Sequence, residues 1–179
     1  MNVFYLNEDP KQCAEEHCDK HVVKMVIEYA QLLSTAHRVL DGKEVEGRTK
    51  TGRKAKRFVL SDSRDSKLYL ASHLKHPDEI WIQKSCKHYQ YVYDLFNNLC
   101  DEFTKRYGKK HLTDTKLRNI LAMHPENIPC GDFEQPPQCM PDYCKSEDSI
   151  TAYKNYYINE KKAFATWKTK TPEWYANPK

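Results

Sequence analysis

The stretch "CDKHVVKMVIEYAQLL", residues 18–33, sets His21, Lys24, Glu28 and Gln31 into an otherwise apolar run. Together they supply an amine, a carboxylate that takes protons, an imidazole and a neutral amide. That set suits proton transfer and attack on an electrophilic carbon. At about 100° per residue the four fall within a wedge of roughly 80° on one helix, while Val22, Val23, Met25, Val26, Ile27, Tyr29, Ala30 and Leu33 fill the remainder. An exposed helix carries a wider polar face, so this one is expected to be covered on most sides, with its stripe opening on a cleft. The plainer reading is an i, i+4 bridge between Lys24 and Glu28 on a wet surface. With lysine first, that pair is in its less favourable order and contributes only about 0.2–0.5 kcal/mol. Internal hydrogen bonds could also satisfy so narrow a stripe.

The elements that must position this stripe are marked by periodicity and punctuation. Residues 2–6, "NVFYL", form an apolar segment expected to tuck the N-terminus into the body, and Asp9-Pro10 is a helix-start signal. A long helix is predicted from Cys18 to Leu40, stopping at Asp41-Gly42. Ser61 or Asp62 is positioned to cap a helix carrying Leu68, Tyr69, Leu70 and Leu74, broken at Pro77. From Asp78 to Tyr107 runs the longest helical candidate, with Trp81, Tyr89, Val92, Leu95, Phe96, Leu99 and Phe103 at helical spacing and Gly108 at its end. A shorter helix is expected over Thr115 to Met123. Residues 125–141, "PENIPCGDFEQPPQCMP", hold five prolines and exclude regular helix or central strand. A last helix begins near Ser146 or Asp148 with Ile150, Tyr153, Tyr157, Phe164 and Trp167 along it. No internal repeat is apparent. The pattern predicts an all-α fold: one compact helical domain over residues 1–179, with a basic loop and a proline-rich loop.

Charge and cysteine usage narrow the classes of function. The net charge is only +4, but Arg48, Lys50, Arg53, Lys54, Lys56 and Arg57 crowd into "RTKTGRKAKR" with no acid among them. With Gly47 and Gly52 nearby and without apolar periodicity, this segment reads as a flexible loop suited to phosphates, or as a plain solvated loop. Seven cysteines, an odd number, do not read as a disulfide framework, so free thiols are expected. Cys13, His17 and Cys18 lie close together in sequence, and Cys130, Cys139 and Cys144 share one loop region, but no CxxC or HExxH spacing occurs. No metal and no cofactor is therefore expected. No apolar run approaches the roughly 20 residues that span a bilayer, and "MNVFYLNEDP" lacks the features of a signal peptide. A cytoplasmic monomer without membrane partners is the expectation, in the host cytoplasm if the chain is phage-encoded.

The helix "DKHVVKMVIEYAQLL" resembles the corresponding helix of the endonuclease V-type pyrimidine-dimer DNA glycosylases of bacteriophages and, more closely, that of their phage and bacterial relatives. In that family an acidic residue, a basic or histidine residue two further on and the catalytic glutamate nine further on share one helix; here these are Asp19, His21 and Glu28. "HPDEIWIQKSCKHYQYVYDLFNNLCDEFTKRYG" resembles the family's long central helix, and "PEWY" (Pro172, Glu173, Trp174, Tyr175) its aromatic C-terminal tail. These stretches cover about half the chain in the family's order. The chain departs from the phage enzyme in its basic insertion after Gly42 and in its proline-rich loop.

The resemblance implies a DNA glycosylase, with or without lyase activity, that removes damaged or modified pyrimidines from duplex DNA by attack of an amine on the sugar C1′. The family's amine is the N-terminal one. An α-amine has a reference pKa of about 7.7–8.0 against about 10.4 for lysine, so far more of it is unprotonated at neutral pH. Methionine before Asn2 is expected to be retained, which makes Met1 the first nucleophile candidate, Lys24 the second and an activated water the third. Glu28 becomes the central acid, able to stabilise positive charge on the sugar and to move protons. His21 and Gln31 are implied contacts to phosphates or the displaced base. Arg38 and the Arg48–Arg57 segment would hold backbone phosphates. Trp174 and Tyr175 would pack against the minor groove or a displaced base, or else anchor the tail on the core. His76 reads as a residue at the start of a helix before it reads as a phosphate contact. Two other functions fit the same residues: a non-catalytic nucleic-acid-binding protein, and a base-modifying enzyme of a phage DNA hypermodification pathway.

Overall fold

The computed structural model describes residues 1–178. The N-terminal segment is extended and buried, with Val3 and Leu6 fully covered. Asp9 then caps α1 (Pro10–Glu16), its carboxylate accepting the Lys11 N–H at 3.0 Å, and Pro10 sets the first helical position. The long α2 (Asp19–Asp41) packs chiefly on α4 (Cys86–Tyr107). Met25, Tyr29, Leu32 and Leu33 meet Tyr89, Leu95, Phe96 and Leu99 in a single core without exposed area. Gly108, at φ 68°, adopts the left-handed conformation that ends α4 where sequence places the stop.

The all-α expectation is overturned after Gly42. Strands β1 (Lys43–Arg48) and β2 (Lys54–Val59) pair antiparallel, Glu44 opposite Phe58 and Glu46 opposite Lys56, so the fold is mixed α/β, though mostly helical. Gly42 makes the abrupt exit from α2 possible, because a β-carbon there would lie 2.4 Å from the Arg38 carbonyl oxygen. The basic segment is thus one strand end, a turn and the opposite strand. Charge density concealed an alternation, exposed Lys54 and Lys56 against half-buried Ala55 and Arg57, that a pleated ribbon requires. A Lys56–Glu44 bridge of 2.8 Å crosses the ribbon on the diagonal.

Two further expectations fail for an identifiable reason each. No helix forms after Ser61. Residues 58–69 instead wrap the buried Arg38, whose guanidinium donates to the carbonyls of Phe58, Asp65, Leu68 and Tyr69 and to the Asp65 carboxylate at 2.7–3.0 Å. The candidate helix 78–107 is broken in two, α3 (Pro77–Ile82) and α4, because Ser85 turns its hydroxyl to the Lys87 N–H and the Gly131 carbonyl. After α5 (Leu112–Leu121) the proline-rich chain is irregular and bonded to the body through its carbonyls: Trp81 donates to Glu134, Ser149 to Pro136 and Tyr153 to Pro137. A 3-10 turn (Asp142–Cys144) leads to α6 (Ser149–Glu160), capped by Asp148. Phe164 and Trp167 lie beyond that helix, in a tail that crosses α1 and ends with α7 (Glu173–Ala176). Among the described residues no helix is long and apolar enough to cross a membrane.

Candidate active site

The N-terminal segment is held by three buried groups. The Val3 N–H donates to Asp78 Oδ2 at 3.0 Å, and the Phe4 N–H to the Tyr29 hydroxyl at 3.0 Å. That hydroxyl lies 3.1 Å from His17 Nε2, while His17 Nδ1 is 2.7 Å from the Cys13 carbonyl oxygen. The only arrangement that satisfies all these groups has His17 Nδ1 donating to Cys13 and Tyr29 donating to His17. With residues 3 and 4 so fixed, Met1 is delivered to the polar stripe of α2. Its amine lies 3.6 Å from Glu28 Oε2, and the Lys24 Nζ lies 3.2 Å from Glu28 Oε1. The glutamate therefore faces one amine with each oxygen.

Exposure separates the side chains of the two amine-bearing residues. The Met1 side chain is 4% exposed and Glu28 16%, whereas Lys24 is 60% exposed. A cleft of about 280 Å³ opens here, lined by Met1, Phe4, His21, Lys24, Glu28 and Tyr156, with Lys20, Lys161 and Phe164 also on its walls. Lys20 sits 4.6 Å over the Phe164 ring and Lys161 4.1 Å over the Tyr156 ring, so two further cations border the opening. The stripe is not the helix's only wet side, because Val23 and Ile27 beside it are exposed as well.

His21 lies on the inner wall, 4% exposed, its Nδ1 2.5 Å from the Tyr157 hydroxyl and its ring tilted against Phe4 at 4.4 Å. Burial, helped by His17 and the nearby lysines, lowers its pKa to about 2. It is a neutral hydrogen-bonding group at any physiological pH, not a cation for phosphate. On the other flank Asp78 is fully buried, and burial raises its carboxyl to about 7. His76 caps α3, accepting the Asp78 N–H at 3.2 Å, and its pKa is lowered by burial and by the Met1 amine.

The remaining sequence candidates lie elsewhere. Gln31, half-buried one turn beyond Glu28, is not among the cleft's lining residues. Arg38 is 2% exposed and commits its guanidinium to the wrap of residues 58–69, so it presents nothing to a phosphate. Trp174 donates its indole N–H to Glu16 Oε2 at 3.0 Å, and Tyr175 packs on Trp167 at 4.6 Å, which ties the tail to α1. Asp19 turns toward α4, paired with Arg106 at 3.1 Å. Arg48, Lys50, Arg53, Lys54 and Lys56 are exposed on the hairpin, and Arg57 folds over Gly47. A shallow trough of about 530 Å³ runs from Lys56 and Arg57 past His73 and Lys75 to His76, at the edge of the amine cluster.

Sequence reading missed Asp78, Tyr29, Tyr157 and Lys161. An acid in the first turn of a helix reads as complement to the helix dipole, and nothing along the chain marks its partner as residue 3. A larger cleft, about 660 Å³, lies between Tyr5, Tyr91 and Phe133, but its lysine, Lys87, is bonded to Asp132 and no amine there faces a buried carboxylate. Comparison with family models, with curated proteins and with solved structures gives no match.

Proposed function

We propose that this chain is a DNA glycosylase, with a lyase step at the resulting sugar, acting on damaged or modified pyrimidines in duplex DNA. The observation that carries this reading is the Met1 amine set 3.6 Å from Glu28 Oε2 in a cleft bordered by Lys20, Lys24 and Lys161. Glu28 takes the proton from the ammonium, and the freed amine attacks C1′. The C1′–base bond breaks and the base leaves with the bonding pair, gaining a proton. Opening of the sugar ring, with a proton to O4′, gives an imine between C1′ and the amine. Loss of a proton from C2′ then expels the 3′ phosphate. Neutral His21, held from behind by the Tyr157 hydroxyl, offers a hydrogen bond to the extruded base, and the cationic rim and the trough beside the hairpin suit the backbone.

The test is reduction with borohydride during incubation with duplexes bearing an abasic site, pyrimidine lesions or hypermodified pyrimidines. The expected result is a covalent protein–DNA adduct whose mass and peptide map place the link on Met1. The intact mass of the unreacted protein reads whether that amine is free. Attachment at Lys24 would transfer the nucleophile to the second amine beside Glu28. Tight binding across the whole panel, with neither base release nor adduct, would overturn the enzymatic reading in favour of a binding protein that uses its exposed basic hairpin.

A further inference from the structure

His76, Asp78 and Cys139 each offer one donor atom, and the three atoms lie within 4.8 Å of one another. Two come from the start of α3 and the third from the irregular proline-rich chain, which sequence spacing has no means of pairing. Asp78 is 0% exposed; its Oδ2 takes the Val3 N–H, but its Oδ1 has no hydrogen-bond partner among the described residues. A buried carboxylate oxygen left unpaired costs free energy, the neighbouring Cys139 thiol is at best a weak donor to it, and a cation held between carboxylate, imidazole and thiolate would satisfy it in full. The Asn2 amide donates to the Cys139 carbonyl at 2.7 Å, so the first residues of the chain bind two of the three donor residues.

We propose that His76, Asp78 and Cys139 bind a zinc-like divalent transition cation. The donor set selects the ion class: a thiolate excludes magnesium and calcium, and one imidazole, one carboxylate and one thiolate match a tetrahedral borderline-soft ion with its fourth position left to water. Binding takes the thiol proton of Cys139 to solvent, and the thiolate and carboxylate together neutralise the ion's two charges. The ion ties α3, the proline-rich chain and the N-terminal segment at one point, which holds Met1 against Glu28. The site stands on its donors alone, whatever reaction the cleft performs.

Cobalt(II) titration of the reduced full chain tests it. The expected result is one equivalent bound, with a thiolate-to-cobalt absorption band and the visible bands of a tetrahedral ion. Cys139→Ser removes the thiolate band, and Asp78→Asn weakens binding by at least about tenfold. A second measurement needs no variant: zinc protects Cys139 from alkylation, mapped by peptide mass, while exposed Cys130 continues to react. No cobalt band, a band that survives Cys139→Ser, or unchanged Cys139 alkylation with zinc present would each overturn the proposal.

Discussion

The cleft at the start of the chain and the hairpin after α2 both concentrate charge, yet they are built in opposite ways. In the cleft, the pair that faces each other is held by buried partners: Met1 follows from the Val3–Asp78 and Phe4–Tyr29 bonds, and Glu28 from the packing of α2. On the hairpin, cations are many and exposed, and those that do bond reach only their own ribbon, as Arg48 to the Gly52 carbonyl and Lys56 to Glu44. A reaction needs two groups fixed within a few tenths of an ångström, whereas attraction to a polyanion needs only charge density. The cleft therefore has the construction of a place for chemistry, and the hairpin that of a place for adhesion.

The sharpest way to break this contrast is Glu28→Gln. It keeps the shape of the side chain and removes the proton acceptor, so base release is expected to fall by about 10²–10⁴ while duplex affinity stays close to the parent value. Equal losses of both, measured by product formation and by titration of labelled duplex, would place Glu28 in binding alone.

A smaller effect tests the buried support beneath the cleft. Burial lowers the pKa of His17 to about 4 and of His21 to about 2, and His37 on the same helix is lowered to about 4 by burial and then by Arg64. The unfolded chain takes up these protons near pH 6.5 and the native chain does not. Stability is full above that pH and is lost as pH falls toward 4, by up to about 3 kcal/mol for each imidazole. The buried Asp78 and Glu79 carboxyls, raised by burial, shift overall stability the other way over the same range, so the test is the ring-proton shifts of His17, His21 and His37 between pH 7 and pH 4.5. Imidazoles that protonate near pH 6.5 in the folded chain would overturn it.

The smallest effect is expected on the hairpin. Replacing Lys50, Arg53 and Lys54 together by glutamine should leave folding stability within about 0.5 kcal/mol. The slope of log affinity against log salt should shrink by about 0.9 for each phosphate that the variant no longer neutralises. An unchanged slope would remove the hairpin from the proposed DNA-binding surface.

Legibility in the sequence followed how local each cause was. The N-cap at Asp9-Pro10, the span of α2 and the stop at Gly108 depend on neighbours a few residues away, and the structure has all three. The hairpin was hidden because its alternation runs through basic residues, exposed Lys54 and Lys56 against half-buried Ala55 and Arg57, and so carries no apolar signal. The break at Ser85 was hidden because its hydroxyl answers to Gly131 across the fold. Arg38 read as a free cation since no short-range pattern announces that residues 58–69 will close around it.

By itself the sequence determined that His21, Lys24 and Glu28 share one side of one helix, because the helical repeat fixes direction from spacing alone. Only the tertiary structure decided which of them meet a partner, and which one. It turned His21 inward to Tyr157, left Lys24 in solvent and brought Met1 to Glu28 and Asp78 beneath Val3. These pairings join residues far apart in the chain, and long-range contacts are set by how the whole core packs, which spacing along one element does not encode.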